Sequence, residues 1–302
     1  MAATLIAVIF ALALGHLVPG LAGAVRRHDL HARWLHWLAG IFPGPGGLFH
    51  GRAGILIALL PPLLVVALLQ YALHSPLFGV LGLLFGLAVL FFSWGPRDLD
   101  ADVGAVIDAE NADARRDAIA RLGADPARGG EGASMIEAVF ASALRRWFGV
   151  LFWFLLLGAS GALLYRLVAL SAHEDAGDAL SPAARDGAKR LHALLDWPVA
   201  QAMSLALALV GNFDTVLSAW RDAGGASLRL DNAFLAAAGR ASVRSEIAEE
   251  TSELIEEGVA PGNAWVQLGE LPELRDAMSL VWRVLLLWLA ILALFVVAGW
   301  VS

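Results

Sequence analysis

Five stretches of this chain contain no Asp, Glu, Lys or Arg: Met1–Val25, Ala53–Pro96, Trp147–Tyr165, Trp197–Phe213 and Val284–Ser302, of 25, 44, 19, 17 and 19 residues. About 20 apolar residues in a helix cross the roughly 30 Å of hydrocarbon in a bilayer. Backbone polar groups in that layer must bond within the segment, so runs of this kind fold as helices. The chain is 59% hydrophobic and 16% charged, against roughly 25% charged in soluble domains. All 49 charges lie between the charge-free stretches, at an ordinary soluble density. Such a two-phase composition excludes a soluble globular enzyme and a disordered chain. It predicts an all-α integral membrane protein, a single membrane domain over residues 1–302.

Hydropathy and turn signals predict about six transmembrane helices, near residues 3–21, 53–73, 77–94, 147–170, 197–213 and 281–301. The first carries His16 and Pro19, and it lacks a basic start and a cleavage site, so it reads as a retained span and not a signal peptide. The 44-residue run holds two spans, divided at His74-Ser75-Pro76, with a kink expected at Pro61-Pro62. Trp282 and Trp300 flank the last span as interfacial anchors. The segment 197–213 is at the short limit for a crossing, and positive charge decides it. If it crosses, with the N-terminus outside, 17 of the 21 Lys and Arg residues face the cytoplasm; if it does not, the split is 11 to 10. The excess of cations on the cytoplasmic side selects six spans with both termini periplasmic. Segments 98–146 and 214–275 then form cytoplasmic helices. Within them, Asp108–Leu122 ends at Gly123, and Ser245–Glu257 places Ile247, Thr251, Leu254 and Ile255 on one face before Gly258 and Pro261. Ser181–Leu195 reads as an amphipathic helix leading into segment 197–213. No strand-like alternation and no internal repeat interrupts this pattern.

Other totals narrow the chemistry. Without cysteine there is no disulfide, thiolate nucleophile, cysteine-ligated zinc or iron–sulfur cluster. A net charge of −7 with no basic stripe argues against nucleic-acid binding. The single lysine, Lys189, lies outside any phosphate-cradling loop of the G-x-x-x-x-G-K type. His28, His31, His36 and His50 are spaced loosely for a zinc site, and the interspersed Trp34 and Trp37 favour a helix lying on the membrane. Six glutamates between Glu246 and Glu257 and five aspartates between Asp98 and Asp113 could hold Mg²⁺, but a solvated helix face accounts for them more simply. The glycine-rich run from Gly40 to Gly47 is read as a connector, because its prolines remove the N–H donors an anion needs. No metal, cofactor or catalytic residue is therefore assigned.

Ionisable residues at the ends of apolar spans are more informative, because charge at membrane depth is costly and often functional. They are Glu137, Arg145, Arg166, Asp196, Trp220 and Arg221 (the indole included as an anchor beside its arginine), and this set is the candidate ligand- or partner-binding site. Gly158, Ala159, Ser160, Gly161 and Ala162 are small residues that let another backbone approach closely.

The run Ile136-Glu137, then Phe152-Trp153-Phe154 through Leu164-Tyr165-Arg166, resembles the membrane superfamily that contains AmpE and the cobalamin-biosynthesis CobD/CbiB proteins. A second stretch, Leu191-His192-Ala193-Leu194-Leu195-Asp196-Trp197-Pro198 followed by Ala219-Trp220-Arg221, extends the resemblance over about a third of the chain. The superfamily's enzymes join an amine to a corrinoid acid through a Glu-Ser pair, a Glu-Asn pair and an Asp. Here Glu137 matches the first acid, but Ala138, Ala141, Ser142 and Arg145 stand where the Ser, Glu, Asn and Asp would be. Amide formation driven by ATP needs acids to hold Mg²⁺, and one acid of three does not suffice.

The departures point to the AmpE branch. That resemblance implies a non-catalytic regulatory or sensory protein of the bacterial inner membrane, linked to β-lactamase induction and cell-wall recycling. It also implies two partners beside the lipid bilayer, a cytoplasmic recycling amidase and a muropeptide-type ligand. Two alternatives are an ATP- and Mg²⁺-dependent ligase of the CobD/CbiB kind and a transporter of cell-wall fragments.

Overall fold

The computed structural model describes residues 29–42, 49, 51–73, 79–95, 98–124, 132–173 and 179–298. The expected span 3–21, the turn at His74-Ser75-Pro76, most of the glycine-rich run, His28, His50 and Trp300 lie outside them. The elements are α1 (Asp29–Ile41), α2 (Gly54–Ala72), α3 (Gly79–Ser93), α4 (Leu99–Ile107), α5 (Ala112–Leu122) and α6 (Gly132–Ala143). After a π turn at Leu144–Phe148 come α7 (Gly149–Leu157), α8 (Ala159–Ala172), α9 (Pro182–Val210) and α10 (Phe213–Asp222). The chain continues with α11 (Ala233–Glu256), α12 (Pro261–Gln267) and α13 (Pro272–Val297). Among the described residues there is no strand.

Among the described residues, four helical runs are long and apolar enough to cross a membrane: Gly54–Ala72, Gly132–Leu157, Pro182–Val210 and Pro272–Val297, with mean hydropathies of 2.3, 1.5, 1.6 and 2.7. At 1.5 Å per residue they extend ~28 to ~43 Å, enough for the hydrocarbon layer. Helix α3 has 15 residues and α8 has 14, which are shorter than a full crossing. The helical membrane class expected from the sequence is therefore present; among the described residues four helical runs meet the length requirement, and the expected span 3–21 lies outside them. Apolar side chains on α2 face outward, with Leu64 55% and Leu68 64% exposed, and Leu294 on α13 is 68% exposed. Large apolar surface of this kind is stable only against lipid or a partner.

The expected span 147–170 is broken. Its first part is the end of the run that starts at Gly132, and α8 begins anew after Gly158, which has φ +69° and ψ −150°. A glycine tolerates this conformation, and an L side chain would be strained there. Gln70 of α2 closes the gap: its Nε2 donates to Leu157 O at 3.1 Å, and its Oε1 accepts from Ser160 N at 3.0 Å. One side-chain amide thus satisfies both helix ends, which otherwise leave orphan carbonyls and N–H groups. Gln70→Leu is expected to lower stability by about 2 kcal/mol, as two hydrogen bonds are lost in a poorly hydrated setting. Thermal unfolding in detergent would check it, with Gln70→Glu as a partial rescue because one acceptor survives. The segment 197–213 differs in the opposite sense. Residues 197–210 are the end of the 29-residue helix α9, which runs through Pro198 without stopping, and Phe213 already begins α10.

The chain divides into two compact units. The first comprises residues up to Pro96, Arg145–Asp196 and the last residues from Ala293; the second comprises Arg97–Leu144 and Trp197–Leu292. In the first, α8 is the centre and packs on α2, α3 and α7. Twelve of its 14 residues are buried. Close approach is possible because Gly161 faces the Trp153 carbonyl, where any Cβ would overlap it. In the second unit α11 packs on α6, α10 and α12, and α4 and α5 pack on α6. Gly239 leaves room there for the fully buried Phe140 ring.

Local sequence explains the ends of the shorter elements. Asp98 caps α4 by accepting from Asp100 N at 3.2 Å, and Asn111 caps α5 by accepting from Ala114 N at 2.8 Å. The expected helix Asp108–Leu122 therefore starts at Ala112, since Asp108 closes α4. Gly123 and Gly258, at φ +91° and +97°, end α5 and α11 as read from the sequence.

Candidate functional site

Polar chemistry in the first unit collects around α8 and the first half of α9. Tyr165, Arg166, Asp196 and His192 are at most 6% exposed. Residues 192 and 196 are four apart on α9, so their side chains share one face. His192 Nδ1 lies 3.6 Å from Asp196 Oδ2. The other carboxylate oxygen, Oδ1, accepts the Tyr165 hydroxyl at 2.6 Å, the short distance of a charge-assisted bond. The His192 ring tilts against the Tyr165 ring at 5.5 Å and meets the His173 ring edge-on at 5.3 Å. Its Nε2 is buried without a hydrogen-bond partner.

Arg166, next along α8, turns to α3. Its Nε donates to Ser93 O at 2.5 Å, at the end of that helix where carbonyls are unsatisfied and the helix dipole is negative. At the end of α8, His173 Nδ1 donates to Ala169 O at 2.9 Å, which fixes the proton on that nitrogen. Nε2 of His173 then accepts from Arg145 Nη1 at 3.2 Å. Arg145 and Arg166 both lie within electrostatic reach of His192 and of Tyr165. An acid, two guanidinium groups and two imidazoles thus share a space walled by apolar helices.

Of the six residues singled out from the sequence, Arg145, Arg166 and Asp196 meet in this cluster. Glu137, Trp220 and Arg221 belong to the second unit. Trp220 Nε1 donates to Gln201 Oε1 at 2.9 Å, and Gln201 Nε2 donates to Gly225 O at 2.8 Å, which ties α10 to α9. Arg221 is exposed at the end of α10. Sequence reasoning missed Tyr165 and His192, although the i,i+4 spacing of His192 and Asp196 on an apolar helix was a usable signal.

Glu137, on α6, forms an ion pair with Arg240 of α11. Three further arginines nearby are matched: Arg275 with Glu250 at 3.2 Å, Arg283 with Glu246 at 2.9 Å and Arg115 with Glu270 at 3.3 Å. Most of the glutamate run thus faces cations or solvent, and of the aspartate run Asp98 and Asp108 close the ends of α4, Asp102 is buried and Asp113 is exposed. Asp100 accepts from the Trp282 indole at 3.5 Å, so that tryptophan is used inside the second unit. His31 bonds the Ser171 hydroxyl at 2.9 Å, while His36 donates to its own helix at Ala32 O. Among the described residues no group of three His, Asp or Glu side chains is placed to hold a metal.

A cavity of about 640 Å³ opens in the second unit between the start of α6, the middle of α11 and Glu273 of α13. That volume lies in the range of small-molecule sites. Its walls are two adjoining stripes of α11, Val243-Ile247-Thr251 and Arg244-Ala248-Ser252, facing Ala133 and Ile136.

Compared with known proteins, the chain matches no protein-family model, no curated protein and no solved structure.

Proposed function

We propose that this chain is a non-catalytic regulatory or sensory protein of the bacterial inner membrane, linked to β-lactamase induction and cell-wall recycling. The AmpE resemblance supplies that link, and the geometry around Glu137 supports the regulatory branch over the ligase branch. In a ligase of the CobD/CbiB kind the acids of this motif hold Mg²⁺ against substrate phosphates. Here Arg240 donates to the Glu137 carboxylate. A fixed guanidinium placed on that carboxylate repels a divalent cation and uses the oxygen that would ligate it.

Six crossings, with segments 98–146 and 214–275 in the cytoplasm, are the topology that fits this reading. It brings the second unit's cavity within reach of cytoplasmic muropeptides and of the recycling amidase. The short helices α3 and α8 would cross with their neighbouring residues or with local thinning of the bilayer.

Deleting the gene and measuring β-lactamase activity before and after a β-lactam inducer tests the proposal. Induction is expected to change in the deletion and to return with the wild-type gene. Induction and muropeptide pools that match the parent strain would overturn it.

A further inference from the structure

The cavity lined by α6, α11 and Glu273 carries two charges without a match among the described residues, Arg244, which is exposed, and Glu273, which is half-buried. Arg240, Arg275 and Arg283 are each paired with a carboxylate, yet Arg244 has no partner among the described residues. Glu273, which lines the same space beside Gly132, has none either among the described residues. Both line the same 640 Å³ space without bonding to each other. The same space is lined by the apolar side chains of Ile136, Val243 and Ile247 and by Thr251 and Ser252. Thr251 spends its proton on Ile247 O at 2.6 Å, which leaves its oxygen as an acceptor.

Small residues shape the hollow. Ala248 recesses the middle of α11, and Gly132 leaves room for Glu273, whose Cδ and Oε1 would sit 3.3 Å from any Cβ there. Glu246, Glu249, Glu250, Glu253, Glu256 and Glu257 give α11 a strongly acidic character, which disfavours a polyanion such as a nucleotide. One cation, one anion and an apolar floor fit a molecule with one carboxylate, one ammonium and an apolar side chain.

We propose that this cavity binds a short free peptide as a zwitterion, its carboxylate on Arg244, its ammonium on Glu273 and an apolar side chain against Ile136, Val243 and Ile247. This rests on the reading of the chain as a ligand-responsive regulator, but not on which response follows.

The test uses the full chain in lipid nanodiscs, titrated with the dipeptide Leu-Ala, its N-acetyl form and its C-terminal amide. The free dipeptide is expected to bind, and each blocked form to bind about tenfold more weakly or worse, the loss of one charged hydrogen bond. Arg244→Gln should abolish the discrimination against the amide alone, and Glu273→Gln the discrimination against the N-acetyl form alone. Both residues lie at the cavity rim, so a circular-dichroism melt will show that the variants still fold. Absence of binding, equal binding of all three dipeptides, or discrimination that survives both substitutions overturns the site. The last of these with an altered induction response would leave the regulatory reading intact. Charge discrimination in a protein whose deletion leaves induction unchanged would support the site and remove that reading.

Discussion

Gly149→Ala is expected to destabilise the first unit by about 3 kcal/mol, although alanine is the better helix former. A Cβ at this position would overlap the phenol ring of Tyr165, which is fully buried. The gain in helix propensity is ~1 kcal/mol. Against it stand overpacking, at about 1–3 kcal/mol, and the hydrogen bond from Tyr165 to Asp196, at about 1.5–3 kcal/mol. The ring cannot retreat without breaking that bond, because Asp196 and His192 close the far side. The losses win. Equilibrium unfolding in detergent checks the magnitude, and a double-mutant cycle checks the cause. In a Tyr165→Leu background the same alanine is expected to cost nothing or to stabilise by ~1 kcal/mol. An equal cost in both backgrounds would mean that the ring is not what the methyl group meets.

Asp196→Ala is the second large effect, with an expected loss of about 4 kcal/mol. The substitution leaves the buried Tyr165 hydroxyl without its acceptor and removes the negative charge facing Arg145, Arg166 and the imidazoles. Removing one member of a buried charged group costs ~3–5 kcal/mol, because the others remain desolvated. Asp196→Asn should lose roughly half as much, since its carbonyl still accepts from Tyr165. Asp214→Ala, in the exposed first turn of α10, should change stability by only a few tenths of a kcal/mol up to ~1 kcal/mol. Equal losses for Asp196→Ala and Asp214→Ala would show that the cluster carries no special weight.

These two positions also show what the sequence reveals and what it hides. Asp196 and Arg166 stand out because a charge at the end of an apolar run has few cheap explanations. Tyr165 and His192 do not, since a tyrosine or a neutral histidine in such a run also suits an interface or a packed core. The Glu137–Arg240 pair joins residues 103 apart, and no spacing rule reaches that far. The break at Gly158 was visible only as a stripe of small residues. Whether such a stripe packs a continuous helix or divides it depends on Gln70, about ninety residues away, whose amide satisfies both ends. Segment 197–213 looked short because the charges before it, from Arg185 to Asp196, resemble a solvated helix. They sit on the same helix, α9, and Asp196 among them is used inside the first unit. The helix stops at Gly123 and Gly258 depend on neighbours within a few residues and were the most legible features, whereas the caps at Asp98 and Asn111 were not read.

The regulatory reading needs the apolar helices to lie in lipid and the polar helices to meet water. Single cysteines test this most directly, and the chain contributes no native cysteine as background. Each would be placed at Leu64, Leu68 or Leu294, or at Arg116 or Glu253, and treated in intact membranes with a water-soluble maleimide. All five side chains are open on the surface of the folded chain, so packing does not separate them. Rapid labelling at 116 and 253, with none at 64, 68 and 294 until the bilayer is dissolved and the protein unfolded, is the predicted result. Labelling of all five positions at similar rates would contradict it.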